Sequence, residues 1–216
     1  MSYKTDPIHK SFSFHEIIAN SATHALGVGL SITALVVLIA RAVKFGDPWY
    51  LGSVIVYGVS LILLYLASTV YHSTPRLKAN ALLQRLDHAT IFVLIAGTYT
   101  PFLLTKLRGT FGWITFALVW GMALVMLVAK LVLTTTFVKP PVWLYVVMGW
   151  FALLVFNQAM RDIGRVSLIL LLVGGIFYTT GILFYKWRKL PFSHAIWHLF
   201  VIAGSIFHFF SIMQLV

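Results

Sequence analysis

The stretch Tyr50–His72, YLGSVIVYGVSLILLYLASTVYH, runs for 23 residues without a charged side chain. About 20 such residues make a helix long enough to cross the hydrocarbon core of a bilayer. Within that core every backbone N–H and C=O must be paired inside its own segment, so an isolated run of this kind reads as a helix. Six further apolar runs flank it. They extend from about Asn20 to Arg41, Leu82 to Thr105, Thr110 to Ala129, from Pro140 and Pro141 to near Met160, from Val166 to Tyr185, and from near Phe192 to Val216. Proline at a helix start is well tolerated because the missing N–H is unpaired there in any case. Aromatic residues gather at the ends of several runs (Trp49, Tyr50, Trp143, Tyr145, Tyr185, Trp187), as they do at membrane–water interfaces. The expected fold is all-α: a polytopic membrane protein, a seven-transmembrane helix bundle forming one domain over residues 1–216. A short segment, about 1–16, precedes the first helix.

Composition agrees. Of 216 residues, 60% are hydrophobic and 10% charged, with a mean hydropathy of +0.94. A soluble domain of this size carries about 25% charged residues. Too few are present to clothe a water-facing surface, so lipid must solvate most of the outside. Sixteen Lys and Arg against five Asp and Glu leave a net charge of +11. Nucleic-acid binding requires a solvated basic face; here the charges sit at the ends of apolar runs, and nucleic acid is excluded as a partner. Cysteine is absent, which rules out thiolate metal ligands and disulfides. Met1–Glu16 is polar and carries both signs of charge, unlike a secretory signal peptide, so the first apolar run is expected to remain as a helix.

Positive charges on alternate sides set the orientation. With the N-terminus inside, Lys4, Lys10, Arg76, Lys78, Arg85, Lys130, Lys139, Lys186, Arg188 and Lys189 lie on the inner side, ten in all. Arg41, Lys44, Lys106, Arg108, Arg161 and Arg165, six in all, lie outside. The expectation is a multi-pass protein of the cell (inner) membrane with a cytoplasmic N-terminus and an external C-terminus.

Ionisable residues at the margin of a span are costly and by default mark function. The second run ends Ser68-Thr-Val-Tyr-His72, the third begins Leu86-Asp87-His88, and the seventh begins His194-Ala-Ile-Trp-His198. His194 and His198 stand at i and i+4, on one helix face and about 6 Å apart, the relation found in helical H-x-x-x-H zinc sites. Ser68 and His72 repeat that relation on another helix. The alternating topology places Ser68, His72, Asp87, His194 and His198 near the same leaflet. A lone histidine in such a position is ordinarily an interfacial side chain reaching water, and Asp87 would then pair with Arg85 or Lys78. The complete set on one level points instead to a metal. Three imidazoles and one open position form the ligand set of catalytic rather than structural zinc. Asp87 would orient a ligand or take a proton, and Ser68 would hold Asp87 or a substrate carbonyl.

The stretches LASTVYH, LDHATIFVLIAGTYTPFLL and HAIWHLFVIAGSIFHFF resemble the signatures of the haemolysin III-like membrane proteins. These are bacterial relatives of the progestin and adipoQ receptors, in a wider group that includes the alkaline ceramidases. The resemblance covers essentially the whole chain. It implies a seven-helix bundle with zinc as cofactor, held by His72, His194 and His198, with Asp87 near the zinc through a water and Ser68 close by. The long N-terminal extension of the animal receptors has no counterpart here, so no hormone binding is implied. The ceramidase relation is too distant to carry a substrate.

Weaker positions surround this set. Glu16, Asn20 and His24 (HEIIANSATHALG) look like a further family element. Glu16 either lines a cavity mouth or complements the helix dipole. His208 lies about 15 Å beyond His198 along the helix, too far to bind the same metal but able to face the same cavity. Gly97-Thr-Tyr-Thr-Pro101 reads as a kink or close packing. Gly27, Gly29, Gly174, Gly175, Gly181 and Gly204 read as sites of close helix approach. Three functions compete. The first is a zinc-dependent intramembrane hydrolase of a lipid amide or ester, with membrane lipid as partner and substrate, and Asp87 and Ser68 as its catalytic pair. The second is a receptor-like or membrane-regulatory protein with structural zinc. The third, a cytolytic pore former, fits poorly with a constitutive multi-pass chain.

Overall fold

The computed structural model describes residues 13–74, 80–132, 142–151, 156–187 and 189–216. Eight helices occupy them: α1 (Phe14–Phe45), α2 (Pro48–Ser73), α3 (Asn80–Leu104), α4 (Thr110–Val132), α5 (Trp143–Gly149), α6 (Phe156–Asp162), α7 (Arg165–Lys186) and α8 (Ser193–Met213). Six of them, α1 to α4, α7 and α8, are long and apolar enough to cross a membrane. The fifth run of the sequence is described as two short helices, α5 and α6, on either side of residues 152–155. The polytopic helical membrane bundle expected from the sequence is what forms.

Local chemistry sets the helix ends. α1 begins six residues before its apolar run because Ser13 and Glu16 form a capping box. The Glu16 N–H donates to Ser13 Oγ at 3.3 Å, and the Ser13 N–H donates to Glu16 Oε2 at 2.9 Å. It ends at Gly46, whose φ of 82° is open to a residue without Cβ. α2 follows at once: Asp47 accepts from the Trp49 N–H at 2.9 Å, and Pro48 fills the first helical position. Large apolar side chains such as Leu26, Val36, Leu118, Val125, Ile169 and Leu183 are exposed, the inverse of a soluble protein and the expected face toward lipid.

α1 packs between α2 and α8, α3 on the far side of α2, and α7 on the far side of α8. α5 closes the ring. The Tyr99 hydroxyl of α3 donates to the carbonyls of Met148 and Gly149 at 3.1 and 2.8 Å, and Trp150, just after α5, donates Nε1–H to Thr179 Oγ1 of α7 at 2.9 Å. Opposite, α2 and α8 are stitched by tyrosines. Tyr50 and Tyr57 donate to the carbonyls of Ile212 and Ser205, and Tyr65 meets Ser205 Oγ at 2.7 Å. Several expected glycines do permit close approach: a Cβ at Gly27 would collide with the Tyr65 ring, and one at Gly174 with His208. Gly204 and Gly181 are similarly pressed, against Tyr178 and Phe200. Gly97 is close packing, since a Cβ there would meet the Ser60 side chain. Gly29 corrects the expectation, having nothing within 4 Å; at Gly175 a Cβ would find Trp150 at an ordinary 3.5 Å.

Candidate metal centre and its cavity

The last turn of α2 and the first two turns of α8 meet at one end of the bundle and bring His72, His194 and His198 together. One ring nitrogen from each lies within 4.8 Å of the others. His72 Nε2 and His194 Nε2 are 3.1 Å apart, a spacing at which two nitrogens share either a proton or a cation. His72 and His198 are buried and His194 half-buried. In tetrahedral zinc sites Zn–N distances of about 2.0–2.1 Å put ligand nitrogens about 3.4 Å apart. The donor set therefore fits a metal ion: three neutral nitrogen ligands, one of which, the buried His198 Nε2, has no hydrogen-bond partner among the described residues.

α1 determines which His198 nitrogen is available. His198 Nδ1 lies 3.1 Å from the Asn20 carbonyl oxygen and 3.0 Å from Thr23 Oγ1. A carbonyl can only accept, so Nδ1 carries the hydrogen and Nε2 presents its lone pair. The Thr23 hydroxyl in turn donates to the Ala19 carbonyl at 2.8 Å. Orienting contacts of this kind fix a ligand's tautomer and ring plane. Glu16 anchors the same corner: its Oε1 accepts the Phe192 N–H at 3.2 Å, where Phe192 holds a left-handed φ of 55° just ahead of α8. Glu16 thus caps α1 and ties it to the start of α8. It is not among the residues that line the cavity between α3, α5, α7 and α8.

A cavity of about 210 Å³ runs up the ring between α3, α5, α7 and α8, from Asp87, His88 and His24, the last stacked on His198, to Leu107 and Ile163. Its wall is largely apolar, with Ile91, Phe102, Leu171 and Val201 among its residues. Polar side chains interrupt it, among them Asp87, three histidines and several tyrosines. Asp87 is buried with Ser68 beside it and forms no ion pair with Arg85 among the described residues; Lys78, its other expected partner, lies outside them. His24 lies flat against His198, ring centroids 3.5 Å apart at 21°, with its edge contact on Tyr65. His208 sits deeper in the cavity wall, 3.1 Å from the Leu171 carbonyl, to which its Nε2–H donates.

Of the residues singled out in the sequence, the structure brings His72, His194 and His198 into one group and sets Asp87, His24 and His208 along the adjoining cavity. Thr23 was not foreseen, nor was the chain Tyr65–Ser205–Tyr178, whose hydroxyls are linked at 2.7 Å each. Hydroxyls scattered along apolar helices give no periodic signal; only the neighbouring helix shows what they hold.

Residues 12–209 match the family model described as "Haemolysin-III related". The chain is 44% identical over 202 residues to the "Hemolysin-3 homolog" of Bacillus subtilis (strain 168), covering 94% of this chain and 95% of that protein. It is also 44% identical over 198 residues to "Hemolysin-3" of Bacillus cereus, covering 92% and 90%. A more distant similarity, 28% over 208 residues, covers 93% of this chain and 84% of the human "Monocyte to macrophage differentiation factor".

Proposed function

The chain belongs to the haemolysin-III related family, and we propose that it is a zinc-dependent intramembrane hydrolase of a lipid amide or ester. One observation carries this reading: the three-imidazole group is linked through His24, stacked on His198, to an apolar cavity whose wall also holds the buried carboxyl of Asp87. A purely structural site has no need of such a cavity or of an acid beside it.

His72, His194 and His198 would hold the ion, which supplies Lewis acidity toward a carbonyl oxygen. The remaining roles belong to the chain. Asn20 and Thr23 keep His198 Nε2 aimed at the metal position. Asp87 takes the proton from the attacking water, as a buried carboxylate beside a substrate can, and Ser68 orients it. The apolar wall between α3 and α7 receives an acyl chain and excludes bulk water. The ten-to-six charge bias supports a cytoplasmic N-terminus, which puts the metal at the cytoplasmic leaflet of the cell membrane.

A second reading, a receptor-like or regulatory protein with structural zinc, is favoured by one feature. α2 and α8 are joined through side chains, the tyrosines and the histidine group, so an ion there would staple the two helices. Metal removal and restoration separates the two. Under the hydrolase reading, release of fatty acid from a lipid amide or ester by purified protein stops on chelation and returns in proportion to the zinc restored. Under the staple reading, chelation lowers the melting temperature and no loading produces turnover.

A further inference from the structure

Two side chains on α1 are buried without any use for their polar atoms. Asn20 is 0% exposed and His24 2%. Both atoms of the Asn20 amide, Nδ2 and Oδ1, and both ring nitrogens of His24 have no hydrogen-bond partner among the described residues. Each such group left unpaired costs about 1–3 kcal/mol. Native proteins retain few of them without a reason, and four atoms on two residues one turn apart form a cluster. The backbone carbonyl of Asn20 is already occupied by His198, so the amide above it is a separate resource. The His24 ring lies against the face of His198 and perpendicular to the Tyr65 ring, and it lines the same cavity as Asp87.

The chemistry of the orphaned atoms selects their partner. The amide offers two donors and an acceptor, and a neutral imidazole one of each. A carboxylate or phosphate would need donors alone, and an ammonium acceptors alone. A group that both donates and accepts suits the mixture, and hydroxyl is the smallest that does so. We propose that Asn20 and His24 form a hydroxyl-binding subsite beside the metal position. The hydroxyl comes either from a polyol lipid headgroup whose chain occupies the apolar cavity or from ordered water. The lipid source rests on the reading of that cavity as an acyl site; neither source depends on hydrolysis.

The probes are 1-O-oleylglycerol and its di-O-methyl ether, which contain no hydrolysable ester, keep the chain and differ in the hydroxyl hydrogens. Binding of each to the full-length zinc-loaded protein in detergent is compared with that to His24→Phe and Asn20→Leu. Phenylalanine keeps the ring against His198 and Tyr65, and leucine keeps the bulk and the backbone carbonyl, so both variants should retain zinc. With a lipid hydroxyl in the subsite, wild type binds the glycerol form about tenfold more tightly than its di-O-methyl ether, the effect of about one hydrogen bond. Each substitution then abolishes the preference. With water in the subsite, wild type binds both probes alike, and a high-resolution map shows ordered solvent on His24 and the Asn20 amide that is lost in His24→Phe. A preference that survives both substitutions, or a wild-type site with neither preference nor ordered solvent, overturns the proposal. The wild-type measurements decide even if a variant fails to fold. Because binding needs no turnover, absence of hydrolysis leaves the test intact.

Discussion

His198 donates its Nδ1–H to the main-chain carbonyl of Asn20 at 3.1 Å, so a helix that contributes none of the three clustered imidazoles decides how one of them points. Thr23 shares the contact at 3.0 Å. Thr23→Val keeps the branched shape and removes the hydroxyl. Zinc affinity should fall about tenfold in the variant, at the lower end of what orienting contacts are worth, with the helical content unchanged. Competition with a chelator of known zinc affinity measures it.

Purified protein should contain close to one zinc per chain by elemental analysis. His72→Ala or His198→Ala should each lower that content sharply, because two remaining nitrogens make a poor site. Unchanged zinc in both variants would remove the metal assignment.

The bundle was legible in the sequence because lipid imposes a simple demand: about 20 apolar residues per crossing, with charges and aromatics at the ends. The histidine group was legible through i, i+4 spacing combined with the alternation of sides. The fifth run lies partly outside the described residues; within them α5 ends at Gly149, and Trp150 turns to Thr179 of α7. The bonding of Glu16 also escaped the sequence, which offers it only as a helix-dipole complement or a cavity-mouth residue. Its bond to the Phe192 N–H depends on α1 and α8 lying side by side, a fact of packing that no local pattern encodes. The same holds for Gly29, whose sequence setting matches that of Gly27 while its surroundings are open.

That contrast predicts stability. Gly97→Ala forces a methyl group into Ser60 and should cost about 1–3 kcal/mol, read as a lower melting temperature in detergent. Adding Ser60→Ala should recover part of the loss. Gly29→Ala meets nothing and should be neutral or stabilising by up to about 1 kcal/mol, since alanine is the better helix former.

Topology is testable because the chain has no cysteine of its own. Single cysteines at Lys106 and Lys189 should react with a membrane-impermeant maleimide in intact cells at position 106 alone. Labelling at 189 and not at 106 would invert the orientation and move the metal end to the outer leaflet.

Hydrolysis by Asp87→Asn tests the central claim most directly. The amide keeps the shape of the buried carboxylate beside Ser68 but cannot take a proton from water. Fatty-acid release from ceramide-like and phospholipid substrates is measured for wild type and variant together, with zinc content and melting temperature as controls. The account predicts turnover by wild type, and a variant that keeps its zinc and its melting temperature yet is slower by about a hundredfold or more. Wild-type protein that holds zinc and turns over nothing, or a variant as active as wild type, would contradict it.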